Sequence, residues 1–396
     1  MSRRVGDLAI PRRLLCGTGP TNPDPRVLRA LSAPLLGQFD PAFTAIMSEV
    51  MELSRTVFQT SNERTFAVSG TGRAAMEAAL ASLIEPGDRV LVGNCGRFGD
   101  LFAEIAARYG ARVRQVRADW GHVLSPCAVD DALRQEPAKI VAMVHGETST
   151  GMWQPLADIG AICRAHGGLL VVDAVVTLGG VPVEVDAWGV DVCFAGTQKC
   201  LGCASGMAPI TYNARAEEAM ARRGRPVVTN YLDLTQLQRY WSPERLNHHT
   251  LPTSMTYGLR EALRLAVDEG LEARFLRHRR AGDALKAGLV AMGLDLFGDP
   301  RHRLPMITAL AIPPQVEDEP GRQRLLDEFG IEIATSFGSL RGRVWRIGLM
   351  GVNAALPVVL SVLSGLEYVL RDYGVSHRRG AGVEAAREAY VQPAAH

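Results

Sequence analysis

From Arg64 to Val176 the chain repeats one device, a short and mostly apolar run followed by an amphipathic segment. TFAVSG, RVLVGN, ARVRQVRA, KIVAMVH and LLVVDAVV are the apolar runs, and RAAMEAALASLIEPG, DLFAEIAARYGA, AVDDALRQE and LADIGAICRAHG lie between them. A strand that is apolar on both faces must be covered on both faces, and intervening helices supply that cover. The series therefore predicts a doubly wound, mostly parallel α/β sheet. Ligands of such sheets sit beyond the carboxyl ends of the strands, so residues at those ends are the first candidates for chemistry.

At 396 residues the chain is longer than the ~250–300 at which one core stops growing, and two domains are expected. Gly and Pro alternate through LLCGTGPTNPDPRVL, which excludes regular helix and central strand and marks residues 1–24 as a shaped arm. Residues 25–260 then form the large domain, with a helix over Phe43–Phe58, and residues 261–374 a smaller C-terminal α/β domain. A long helix is expected from Met255 to about Gly293, followed by strands LDLFG, MITALAIP, IEIATSF and RVWRIGLM and helices GRQRLLDEFG and ALPVVLSVLSGLEYVLRDYG. The polar, Ala-rich stretch 375–396 reads as a loose tail.

Lysine plus arginine (43) nearly equals aspartate plus glutamate (42), so no nucleic-acid or other polyelectrolyte partner is implied. No apolar run reaches the ~18–20 residues of a membrane span, and MSRRVGDLAIPRR lacks the apolar core of a leader. A cytoplasmic protein is expected. Seven scattered cysteines suit reduced thiols, and the Cys200–Cys203 pair has neither a second pair nor a nearby histidine, so no metal is expected.

The run DVCFAGTQKCLGCASG delivers Gln198 and Lys199 to a turn just past a buried strand. An amine desolvated there has a lowered pKa and suits Schiff-base chemistry, and pyridoxal 5'-phosphate (PLP) is the cofactor expected on Lys199; a solvated loop lysine is the plain alternative. Ser69-Gly70-Thr71-Gly72-Arg73 lies between a strand and a helix, where free backbone N–H groups, close-packing glycines and the Thr71 hydroxyl suit a phosphate. Gly70-x-Gly72-x-x-Ala75 also fits a dinucleotide fingerprint, but the next strand ends in Gly93-Asn94 without the acid that grips a ribose. Asp173 closes LLVVD; buried there it needs a cation, and a protonated pyridine nitrogen is one; capping the next segment or pairing with an arginine is the plain alternative. His145, Glu147 and Thr148 end a third strand and are placed to hydrogen-bond a ring oxygen or to position neighbours, with a buried, satisfied histidine as the plain reading of His145.

The runs GTGPTNPDPRVL, SGTGRAAMEAAL, EPGDRVLVGN, HGETSTGMWQPL, VVDAVVTLGG, AGTQKCL, NHHTLPTSMTYGLREAL and RVWRIGLMG closely resemble class V PLP-dependent aminotransferases of the alanine-glyoxylate and serine-pyruvate group, over about residues 11–372. The resemblance implies fold type I with a seven-stranded-type sheet, and makes Lys199 the Schiff-base lysine and acid–base group and Asp173 the partner of the pyridine nitrogen. By the same likeness Thr71, Gly72 and Gln198 fall on phosphate-binding positions with Arg73 beside them. Phe98 stands where an aromatic ring stacks on the cofactor, Thr148 near the ring oxygen, and Arg346 where an arginine grips the substrate carboxylate. Members are homodimers with shared sites, and NHHT resembles the part lent by the partner, with Asn247 and Thr250 reaching across; Thr250 as a helix cap is the plain alternative.

Two departures bear on the substrate. Alanine-glyoxylate relatives carry Tyr where this chain has Asn247 and lack the glutamine found here at Gln38. The pair Gln38 with NHHT instead resembles members of the group that take an amino donor bearing a ureido group with glyoxylate as acceptor, and the match has a physical reason: two primary amides complement a ureido group, which presents N–H donors and a carbonyl acceptor together. Transamination from alanine or serine is the alternative. A cysteine desulfurase would need a cysteine in TSFGSLRGRVW, which has none, and a PLP-binding regulator would need a DNA-binding appendage.

Overall fold

A computed structural model describes residues 6–392. The first five residues of the expected arm and the last four of the expected tail lie outside it. Seven strands form the main sheet, in the spatial order Arg64–Gly70, Gly206–Tyr212, Val192–Phe194, Leu169–Asp173, Ile140–Val144, Arg89–Asn94, Arg112–Arg117. All neighbours pair in parallel except Gly206–Tyr212, which runs antiparallel to both of its partners. Ile140–Val144 and Leu169–Asp173 are buried at every residue, as central strands covered by helices on both faces should be.

Strand Gly206–Tyr212 has no counterpart among the expected strands because Pro209 interrupts GMAPITY, and proline inside a run argues against a central strand. The structure shows how it is tolerated. Pro209 O accepts from Ala195 N just beyond the end of Val192–Phe194, so the missing N–H faces a place where the neighbouring strand has stopped.

Two hydrophobic cores organise the chain. The larger is built on the seven-stranded sheet and includes Phe66, Phe102, Phe194 and Trp241; it extends as far as Leu263 and Ala266, past the expected limit at residue 260. The second gathers Leu285, Leu325, Trp345, Leu363 and Cys16 around the antiparallel strands Ile307–Ala311, Val344–Gly348 and Ala334–Thr335. The single helix expected from Met255 is two, Thr253–Glu269 and Leu271–Ala291, broken at Gly270 with φ +83. LDLFG is no strand and leaves one bridge, Leu296 to Leu310. IEIATSF splits, because Ile331–Glu332 turns to pair in parallel with Leu14–Leu15 of the N-terminal arm.

The stretch expected to be a loose tail holds a helix, Ala381–Val391, in which Ala381, Gly382 and Ala386 are buried and Ala386 joins the second core. Its apolar face is made of small residues, which carry little hydrophobic signal but permit close approach: a Cβ on Gly288 would lie 2.7 Å from Gly382 O. No helix of the described residues is long and apolar enough to cross a membrane.

Candidate active site

At the carboxyl edge of the sheet the strand Arg64–Gly70 bends at Gly70, φ +142, into the helix Gly72–Leu83. Thr71 is the N-cap residue and its hydroxyl makes no capping bond, while the first N–H groups bonded inside the helix are those of Ala74 and Ala75. The Thr71 hydroxyl and the Gly72 and Arg73 amides are therefore left for an anion at the positive end of the helix. Gly72 is required by space: a Cβ there would lie 2.6 Å from Val175 Cγ2.

Asp173 ends the central strand, 4% exposed, and accepts one hydrogen bond, from Val175 N at 2.8 Å. Burial, reinforced by the charge of Glu147, raises its pKa to about 7 against the pull of Val175 N–H and Lys199. A buried carboxylate with so little compensation is suited to a cationic N–H. Lys199 follows the next strand, and its amine donates to Thr18 O. Burial first, and repulsion from Arg346 second, lower the Lys199 pKa to about 8, while Asp173 opposes the shift. Gly19, φ +112, lies against this side chain so closely that a Cβ would meet Nζ at 2.5 Å. Beside Lys199, Gln198 Oε1 is buried with no hydrogen-bond partner.

Thr71, Gly72, Arg73, Phe98, Thr148, Asp173, Gln198 and Lys199 line one cavity of about 370 Å³, together with Met76, Leu101, Gly146, Val175 and Val176. The residues fit a phosphorylated aromatic aldehyde: a helix N-terminus for the phosphate, the Gln198 side-chain amide in the same lining, whose N–H groups can donate to it, a buried carboxylate for a ring cation, half-buried Phe98 for the ring face, and an amine with lowered pKa.

Phe98 owes its place to a side chain with a different role from the ring contact weighed for it. Glu147 points away from the cavity and accepts from Phe98 N at 2.9 Å and from Ser149 N and Oγ at 3.0 and 2.6 Å, while Ser149 Oγ receives Arg97 N. The helix Arg97–Arg108, whose N-cap is Gly96, is thus capped from another loop. His145 is also turned from the cavity. Trp153 Nε1–H can only donate, so it fixes His145 Nε2 as acceptor at 2.7 Å, leaving Nδ1–H for Thr177 Oγ1 at 2.9 Å.

Arg346 lies on the central strand of the small sheet, 4% exposed, outside the lining but near enough to repel Lys199. Burial lowers its pKa to about 10. Gln38, Asn247 and Thr250 do not line this cavity. Gln38 Nε2 donates to Asn247 Oδ1 at 3.0 Å on the surface, and Asn247 and Thr250 are exposed. Thr250 is no helix cap either, since Pro252 holds that position for Thr253–Glu269. His249, one residue before, bonds Ser69 Oγ at 2.7 Å and so ties this segment to the anion turn. Cys200 and Cys203 are separate buried thiols, each with its pKa raised to about 12 by burial.

Sequence reasoning missed the Thr18–Gly19 wall, the apolar lining by Met76 and Leu101, and the Glu147–Ser149 cap. The Gly/Pro alternation of the arm was the one available signal for the first.

A family model described as Aminotransferase class-V matches residues 30–342. A (S)-ureidoglycine–glyoxylate transaminase of Bacillus subtilis (strain 168) is 49% identical, over 97% of each chain, and an alanine–glyoxylate aminotransferase of Rattus norvegicus is 42% identical over 92% of this chain and 89% of its own. Among solved structures, a ureidoglycine-glyoxylate aminotransferase from Bacillus subtilis superposes with TM-score 0.96 at 51% identity, covering 98% of this chain and 100% of that one. An alanine–glyoxylate aminotransferase from Nostoc sp. superposes with TM-score 0.92 at 46% identity, over 93% and 98%.

Proposed function

The chain belongs to the PLP-dependent class V aminotransferases, and on that premise we propose that it transfers the amino group of (S)-ureidoglycine to glyoxylate, giving oxalurate and glycine. The observation that carries the choice of donor is the hydrogen bond between Gln38 and Asn247, which presents two primary amides as one unit, 209 residues apart in sequence. A ureido group meets both its donors and its acceptor on such a pair.

Because that pair and Thr250 lie outside this chain's own cavity, we assign them to the site of a second copy, in a homodimer with shared active sites. Leu35 and Phe39, large apolar side chains exposed on either side of Gln38, suit a surface that a partner covers. Seven free thiols suit a reducing compartment, and we place the enzyme in the cytoplasm.

The Thr71 hydroxyl, the Gly72 and Arg73 amides and Gln198 would hold the phosphate, Asp173 the ring nitrogen, Phe98 the ring face and Thr148 the ring oxygen. When bound, PLP supplies the aldehyde that accepts and returns the amino group and a ring that draws negative charge from the substrate α-carbon. Arg346 orients the substrate carboxylate, and Lys199 takes the α-proton and returns it, as a buried amine with pKa about 8 is suited to do near neutral pH. Thr18 O and the backbone of Gly19 limit where that amine can swing.

A donor screen tests the proposal. With freshly generated ureidoglycine the enzyme should consume glyoxylate far faster than with L-alanine, and Gln38→His with Asn247→Tyr should narrow the ratio by roughly 10²-fold, since a site built to pair polar groups loses most when they go unpaired. Equal rates from alanine before mutation would sink the donor assignment.

A further inference from the structure

Arg346 binds main-chain oxygens with three of the five N–H groups of its guanidinium: Nε and Nη2 donate to Thr335 O at 2.9 and 2.5 Å, and Nη1 to Thr148 O at 2.9 Å. All of these bonds leave from the edge of the plane. One face of the plane lies on the ring of Phe337, with Cζ 4.6 Å from the ring centroid. Phe337 in turn meets Phe98 edge to face, centroids 6.4 Å apart at 86°. One ring therefore touches both the guanidinium read as the carboxylate grip and the aromatic side chain lining the cavity.

Phe337 is 38% exposed, yet the loop that carries it is held on both sides. Ser336 Oγ, buried, donates to Ser149 O at 2.5 Å, and Gly338, φ +50, sits against Trp120, where a Cβ would be 2.8 Å from the indole. The ring stays partly exposed, while its loop, held at Ser336 and Gly338, has no freedom to turn it away.

We propose that Phe337 is a positioning and specificity residue for substrates with an α-carboxylate: its ring fixes the plane of Arg346 and keeps water from its face. Two edge N–H groups then remain, coplanar and desolvated, for a planar carboxylate. This rests on Arg346 being the carboxylate grip. A guanidinium on an aromatic face loses little to the contact, since the ring supplies negative charge without competing for N–H donors. An aliphatic side chain of similar size would fill the space but give the cation nothing.

The test uses holoenzyme and glycolate, a carboxylate that has neither an amino group nor a carbonyl and so binds without reacting. Calorimetric titration of Phe337→Leu should show glycolate affinity weakened about tenfold, with the KM for glyoxylate raised by a similar factor, as expected for loss of a partly desolvated cation–π contact. Phe337→Tyr, which keeps the ring, should stay within about twofold of the parent. Arg346→Met should weaken glycolate far more than either. If Phe337→Leu binds glycolate like the parent while Arg346→Met does not, Phe337 is packing only and the inference falls. If Arg346→Met binds glycolate normally, the assignment of Arg346 itself falls, whatever Phe337 does.

Discussion

Two clusters of buried and half-buried polar side chains flank the turn that carries Lys199, and they are treated in opposite ways. Behind the turn, Glu269, Arg274, Arg277 and His278 bond one another and the backbone. Arg274 reaches Glu269, Gly179 O and Cys200 O at 2.7, 2.8 and 2.6 Å, and Arg277 reaches Glu269, Gly351 O and Ala354 O at 2.5, 2.7 and 3.0 Å. His278 accepts from Gly351 N at 3.1 Å and donates through Nδ1 to Arg274 O at 2.8 Å, a neutral ring whose pKa burial lowers to about 3. In front of the turn, Asp173 has one hydrogen bond, Gln198 Oε1 has none and the Lys199 amine has a single carbonyl. The same kinds of side chain make a scaffold where they satisfy each other and a site where they are left for a ligand.

The sharpest test of that contrast is Lys199→Ala. Transamination should drop by at least about 10⁴-fold, since both the attachment point and the proton carrier are lost. The melting temperature of the cofactor-free protein should hold or rise, because a desolvated amine is removed; a marked fall in melting temperature would mean Lys199 belongs to the scaffold after all. Arg274→Met should do the reverse. It leaves Glu269 to Arg277 alone and strands the Gly179 and Cys200 carbonyls, and denaturant unfolding should show a loss of about 2–4 kcal/mol. If the variant is as stable as the parent, the rear cluster is not a scaffold.

The smallest effect concerns pH. With a Lys199 pKa of about 8, half of the amine of the cofactor-free protein is neutral near pH 8, and the neutral fraction approaches completion over about the next one to two pH units. The rate of PLP uptake should therefore have its midpoint near pH 8, where an ordinary lysine would reach it only near 10.5. Arg346→Met removes a repelling cation and should move the midpoint up, whereas Asp173→Asn removes an attracting anion and should move it down. A midpoint unmoved by both would show that burial alone sets the shift.

Much of the front cluster is legible from the chain, because it sits at strand ends and strands announce themselves. Asp173, Lys199 and the Thr71 turn each terminate an apolar run, and the sheet rule brings them to one edge. The rear cluster and the caps are not legible, because they depend on partners far away in sequence. Nothing in HGETSTG says that Glu147 and Ser149 will cap the helix starting at Arg97, and nothing in NHHT says that Asn247 will meet Gln38. That pair came into view through family likeness, not spacing. Pro209 hid a true strand whose missing N–H falls where pairing has ended. The C-terminal helix was hidden by its small residues, whose burial depends on how closely two backbones can approach and hardly on hydrophobicity.

The arm that walls Lys199 has a further consequence for how the protein is made. Leu14–Leu15 pairs with Ile331–Glu332, Arg13 bonds Leu326 O, Cys16 O receives Gly348 N, and Thr21 Oγ1 donates to Met350 O. Residues 13–21 thus find these partners only after residues 326–350 have been synthesised. Until then the reactive amine lacks one of its walls, and a chain cut short before residue 326 could carry the lysine and the aspartate yet never enclose them.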